Sequence, residues 1–66
     1  QETTLIPTIY GKDLVTVKER LIKYGMVIGK VTGNTKRGLK SATIDGVVVK
    51  NYSRVIVGKT VDLFFP

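Results

Sequence analysis

The hydrophobic repeat of this chain changes period at a glycine. Before that point, Leu14, Val17, Leu21 and Tyr24 recur at spacings of 3, 4 and 3, which places them on one face of a helix. Asp13 stands where an N-cap belongs, and Gly25 stands where a left-handed residue ends a helix. Glu19 and Lys23 are in the favourable i, i+4 order, and Lys23 lies near the negative end of the helix dipole. Val15 and Ile22 interrupt the polar side, so the apolar stripe is broad or partly exposed. The spacing predicts a helix over 13–24. From Met26 the period is two, with Met26, Ile28 and Val31 inward and Val27 and Lys30 outward. Gly29 is the expected bulge or kink.

Gly25, Gly29 and Gly33 recur at four-residue intervals, a spacing compatible with a phosphate-cradling loop. Such a loop needs a strand before it and a helix N-terminus after it, and this stretch has neither. Read structurally, Gly25 ends a helix, Gly29 interrupts a strand and Gly33 opens a loop.

The rest of the chain is short segments. Residues 1–10 are extended in character, since Thr and Ile favour strands and Pro7 pushes Ile6 to an extended conformation. Residues 33–41 are a basic loop between glycines. Residues 42–50 read as one strand, or as two short ones broken at the Asp45–Gly46 turn pair. Residues 51–54 connect to a last strand within 55–65, which Gly58–Lys59 could interrupt. The expected fold class is α+β: a single helix packed on a small, three-stranded, mainly antiparallel sheet built from 26–32, 42–50 and 55–65. The expected core is Leu14, Val17, Leu21, Met26, Ile28, Val31, Val61 and Leu63. At 66 residues the chain is one domain, and a domain of that size buries only about 60% of its unfolded surface. Its 42% hydrophobic content separates it from a disordered tail.

Function classes fall away by composition. There is no Cys and no His, so disulfides, Cys nucleophiles, His general bases and the usual zinc sites have no residues to work with. "GKT" at 58–60 resembles the end of a phosphate-binding loop, but Ser53 stands where the first glycine is required and a strand pattern follows. Ser41 and Ser53 lack both a His partner and a Lys at the third position after them. Asp13, Asp45 and Asp62 fall on different elements, as a cap, a turn residue and a solvent-facing strand residue. Asn51-Tyr52-Ser53 matches a glycosylation acceptor, a match common by chance. No catalytic residues, no metal ligands and no cofactor are expected. No apolar run approaches the roughly 20 residues of a membrane span, so membrane insertion by this segment is not expected.

Charge points to partners. Eleven Lys+Arg face five Asp+Glu, a formal charge of +6, which attracts nucleic acid, anionic lipid or acidic wall polymers. Lys36, Arg37 and Lys40 fall within five residues, and Lys50 and Arg54 flank Tyr52 in the next connection. If both connections lie at one end of the sheet, these six residues form a basic, ligand-binding patch with one aromatic. The competing reading is an ordinary lysine-rich loop surface. A small nucleic-acid-binding domain is the alternative function, although aromatics free to stack on bases are few: Tyr10 and Tyr52, with Tyr24 assigned to the core.

The order of residues in 6–31, "IPTIYGKDLVTVKERLIKYGMVIGKV", resembles the first half of a PASTA domain, a module of penicillin-binding proteins and serine/threonine kinases. Ile6-Pro7, Gly11, Asp13, Leu14, Val17, Leu21, Gly25, Met26, Ile28, Gly29 and Val31 fall on that pattern in register. Val55, Gly58, Val61 and Leu63 match its closing strand. The middle departs, because "VVVKNYSRV" lacks the family's Gln-x-Pro-x-x-Gly and is shorter. The resemblance implies one helix on a three-stranded sheet in a non-catalytic, extracytoplasmic bacterial module of a longer anchored or secreted protein. It also implies binding of peptidoglycan fragments (muropeptides) or β-lactams, or a spacer role docking on neighbouring domains of the same chain. The family has no fixed set of binding residues to carry over.

Overall fold

A computed structural model describes residues 1–66. The helix α1 spans Leu14–Lys23, and Asp13 is its cap: one carboxylate oxygen accepts the Thr16 amide at 3.1 Å. Val17 and Leu21 are fully buried and Leu14 is half-buried, so the predicted stripe faces the core. Tyr24, assigned to that stripe, departs from it and is 43% exposed. The chain leaves helical geometry at Tyr24, which takes the C-cap position at φ −93°, ψ 12°. A residue there no longer follows the helical rotation that would turn it inward.

The Asp13 cap sets an acid limb on stability. Bonds from the Thr16 side chain and then from its backbone amide hold the carboxyl below its ordinary value of 3.8. A carboxylate with a lowered folded pKa adds stability that is complete above its unfolded value and lost as pH falls through the folded one. Asp13→Ala should therefore lower Tm at about pH 7, with the gap to wild type narrowing below the ordinary carboxylate value. Thermal melts followed by circular dichroism across that range check it, and a gap that widens in acid would refute the assignment.

The strands correct the expected sheet. They are β1 (Thr3–Leu5), β2 (Val27–Thr32), β3 (Ser41–Ile44), β4 (Val47–Val49), β5 (Arg54–Ile56) and β6 (Thr60–Phe64). They form a four-stranded sheet in the order β2-β6-β3-β4 and a two-stranded ribbon of β1 with β5, not one three-stranded sheet. Two turns make the difference. Asp45–Gly46 splits 42–50 into a hairpin, with Ile44 opposite Val47. A turn at Val57–Gly58 splits 55–65, and the Gly58 amide ties it to the Gly25 carbonyl at 2.8 Å. Residues before that turn pair antiparallel with the N-terminal segment, and residues after it enter the larger sheet. There β6 runs parallel to β2 and antiparallel to β3, so the sheet is mixed. Parallel neighbours need a long crossover. Here the β3–β4 hairpin and β5 supply it in place of a helix.

Gly29 sits at the expected bulge. Ile28 pairs with Val61 and Val31 with Leu63, leaving Gly29 and Lys30 opposite Asp62 alone. The extra amide, from Lys30, donates to the Asp62 carboxylate at 2.9 Å. A Cβ on Gly29 would stand 2.4 Å from that oxygen and 2.5 Å from the Thr60 methyl, so a larger residue would have to displace both side chains.

Of the expected core, Val17, Leu21, Met26, Val61 and Leu63 are buried, whereas Leu14, Ile28 and Val31 are only partly buried at its margin. The core extends to Ile6 and Ile9 from the N-terminal segment, Leu39 from the basic loop, Ala42 and Ile44 from β3, and Phe65 just after β6. Tyr10 ties these parts together. Its hydroxyl donates to the Val49 carbonyl and accepts the Ala42 amide, bridging the open end of the hairpin.

Candidate functional site

The hairpin register answers whether the two basic connections lie together. Ala42 is opposite Val49, so Lys40 and Lys50 leave β3 and β4 at the same end of the sheet. The segment from Ile9 to Lys12 links the two connections there. It meets the later one where Asn51 Oδ1 accepts the amides of Ile9 at 3.0 Å and Tyr10 at 3.4 Å. It meets the earlier one where the Gly11 amide donates to the Leu39 carbonyl at 3.0 Å and the Leu39 amide to the Lys12 carbonyl at 2.8 Å.

The earlier connection is built around buried Leu39. Asn34 turns it, its side-chain oxygen accepting the Lys36 amide at 3.1 Å and its carbonyl the Arg37 amide at 3.0 Å. Lys36, Arg37 and Lys40 are exposed around that turn. Thr35 presents its carbonyl to the Leu14 amide at 3.1 Å, so the loop abuts the helix start.

The later connection divides its residues. Lys50 lines an opening of about 330 Å³ with Tyr10 and Asn51. Arg54 turns to the ribbon, its guanidinium donating to the Thr3 hydroxyl at 3.2 Å. Tyr52 turns the other way, towards the helix. The expected patch is thus divided among the turn at 34–37, the Lys50 opening, the ribbon and the helix side, and Tyr52 is the member that enters a larger cleft.

That cleft, of about 370 Å³, is lined by Pro7, Thr8, Arg20, Lys23, Tyr24 and Tyr52. Thr8 organises it from both ends of its structure. Its carbonyl accepts a hydrogen bond from the half-buried Arg20 guanidinium at 2.6 Å, and its hydroxyl shares one with the Tyr52 hydroxyl at 2.6 Å. Arg20 and Lys23 follow from the last turn of α1, three residues apart and so neighbours on its surface. Tyr52 is 68% exposed despite its tethered hydroxyl, which leaves its ring open to the cleft.

Arg20, Lys23, Tyr24 and Thr8 did not stand out in the sequence. In the sequence Lys23 reads only as the partner of Glu19 near the helix dipole, and Tyr24 as a core residue. The pair spaced by three in a last helical turn was the available signal. The Thr8–Tyr52 contact joins residues 44 apart and left none. No family model, curated protein or solved structure matches this chain.

Proposed function

We propose that this chain is a non-catalytic, extracytoplasmic module of a bacterial cell-wall protein. It engages peptidoglycan fragments, or docks on neighbouring domains of its own longer chain, through basic surface residues. The observation that carries this reading is the state of its cations. Lys59 pairs with Asp45 at 3.2 Å, and no other Lys or Arg has a carboxylate partner. The positive charge is therefore available to an anionic partner, and that is the condition under which a net charge steers binding. The resemblance of 6–31 to the PASTA pattern supplies the wall context. Single exposed contacts are each worth only about 0.2–1 kcal/mol, so one module binds weakly and gains from tandem copies.

Co-sedimentation with insoluble peptidoglycan at about 150 mM salt tests it, with single-stranded DNA as competitor. Retention that DNA does not displace is expected. Nucleic acid binding that tolerates any sequence and falls steeply with salt would transfer the chain to the alternative class. Reproducible turnover of a wall substrate by the chain would overturn the non-catalytic part.

A further inference from the structure

Two non-glycine residues hold positive φ in this fold, Asp45 at 53° and Tyr52 at 68°. Asp45 has a mechanism for this, since a short polar side chain tolerates the left-handed region in a tight turn. Tyr52 has none of its own. A bulky residue at positive φ is an outlier, and such strain persists where the surroundings over-determine it, often at ligand clamps. A turn whose only task was to reverse the chain would be better served by Gly or Asn. The Tyr52 amide is held by the Ile6 carbonyl at 2.7 Å and its hydroxyl by Thr8, so ring and backbone are both fixed at the cleft mouth.

The chemistry of the other walls is one-sided. Arg20 and Lys23 bring two cations, and no Asp or Glu lines the cleft. A guanidinium is a planar fork suited to phosphate or carboxylate, and one already tethered to the Thr8 carbonyl loses less freedom on binding. A carboxylate would offset one of the two cations. A phosphomonoester carries a charge of about −1.5 to −2 at neutral pH and matches both. Beside that anion the exposed ring of Tyr52 offers a flat face, as Tyr24 does from the helix end at 43% exposure.

We infer that this cleft is a binding site for a ring-bearing phosphate ester, its phosphoryl group held by Arg20 and Lys23 and its ring laid on Tyr52, with Thr8 as the positioning residue. The inference deepens the module reading, since it rests on the chain working by binding an anionic ligand.

The test is an NMR titration of the whole chain with phenyl phosphate, glucose 1-phosphate, inorganic phosphate and glucose. Both esters should shift Thr8, Arg20, Lys23, Tyr24 and Tyr52 and leave the turn at 34–37 still. The phenyl ester should bind about fivefold tighter than inorganic phosphate, the worth of one aromatic contact. Glucose should shift nothing. A response to the phenyl ester alone selects an aromatic source, and a response to both a broader one including sugars. Tyr52→Gly removes the ring and relieves the left-handed strain, so it should fold and lose that fivefold preference. Lys23→Gln, at an exposed site, should weaken both esters and inorganic phosphate alike. Thr8→Val should narrow the preference for the phenyl ester while retaining phosphate binding. Equal affinity for phosphate and its esters, or shifts at Lys36 and Arg37 in place of the cleft, would overturn the assignment. If peptidoglycan still sediments wild type and Tyr52→Gly alike while no ester binds, the cleft falls and the module reading stands. Ester binding at the cleft without sedimentation separates the two the other way.

Discussion

Gly33→Ala is expected to unfold this protein at denaturant concentrations where the wild type is fully native. Gly33 holds φ +86°, and a Cβ built there would lie 1.9 Å from the carbonyl oxygen of Phe65 and 2.6 Å from its carbon. The obstacle is backbone, so no side-chain rotation relieves it. That backbone is fixed on both sides of Gly33, because the Phe65 amide donates to the Thr32 carbonyl at 2.8 Å and the Asn34 amide to the Pro66 carbonyl at 3.1 Å. Phe65 is itself buried, at 6% exposure. Left-handed strain on an alanine costs about 1–2 kcal/mol. Moving the strand end away would weaken two hydrogen bonds worth about 1 kcal/mol each. The sum, about 3 kcal/mol or more, compares with a total of roughly 3–10 kcal/mol for a chain of this length. Gly46→Ala is the control. It has φ +79° but no atom within 4 Å of the added Cβ, so only the strain of about 1–2 kcal/mol applies. Urea melts of both variants read the difference, and equal losses would mean that the Phe65 carbonyl does not crowd Gly33.

Local chemistry was legible in the sequence wherever a single segment decided the outcome. Asp13, Gly25 and the 14–21 stripe fixed the helix, and Gly29 fixed the bulge, because caps and periodicity act within a few residues. The division of 55–65 between two sheets was not legible. Val55 and Ile56 have the same strand propensity whichever partner they take, and their partner is Thr3–Thr4, more than 50 residues away. The same holds for burial of Ile6, Ile9, Leu39 and Phe65. Ile6, Ile9 and Leu39 lie outside the expected sheet and are folded over it by the ribbon and the hydrogen bonds of Gly11 and Leu39, whereas Phe65 lies in the expected last strand but is held beyond its end by its amide on the Thr32 carbonyl. For the candidate site, the residue types of the basic connections were readable, and the register confirms that Lys40 and Lys50 share one end of the sheet. What could not be read was the grouping of Tyr52 with Arg20 and Lys23. That depends on Thr8 bonding both Arg20 and Tyr52 across the fold.

Leu21→Ala should produce the other large loss. Leu21 has no exposed surface and lies on the inward face of the sole helix, in a core of only eleven buried side chains. Removing a buried leucine side chain costs about 2–5 kcal/mol, and the higher values occur where the surroundings cannot collapse into the space. Collapse is restricted here. The backbone at Leu21 is committed, since its carbonyl accepts the Met26 amide at 2.9 Å and the Tyr24 amide at 3.1 Å. Those bonds fix the turn from α1 into β2, so the helix cannot settle inward without pulling Met26 out of the core. Ile22 next to it is 57% exposed, and Ile22→Ala should stay within about 0.5 kcal/mol of wild type. The pair separates core packing from helix propensity, which favours alanine at both positions. Chemical denaturation with a shared m-value gives both numbers. A loss at Leu21 no larger than that at Ile22 would mean that the helix turns a different face to the sheet. In that case Arg20 and Lys23 would also leave the cleft, because they lie on the same turn as Leu21 and rotate with it.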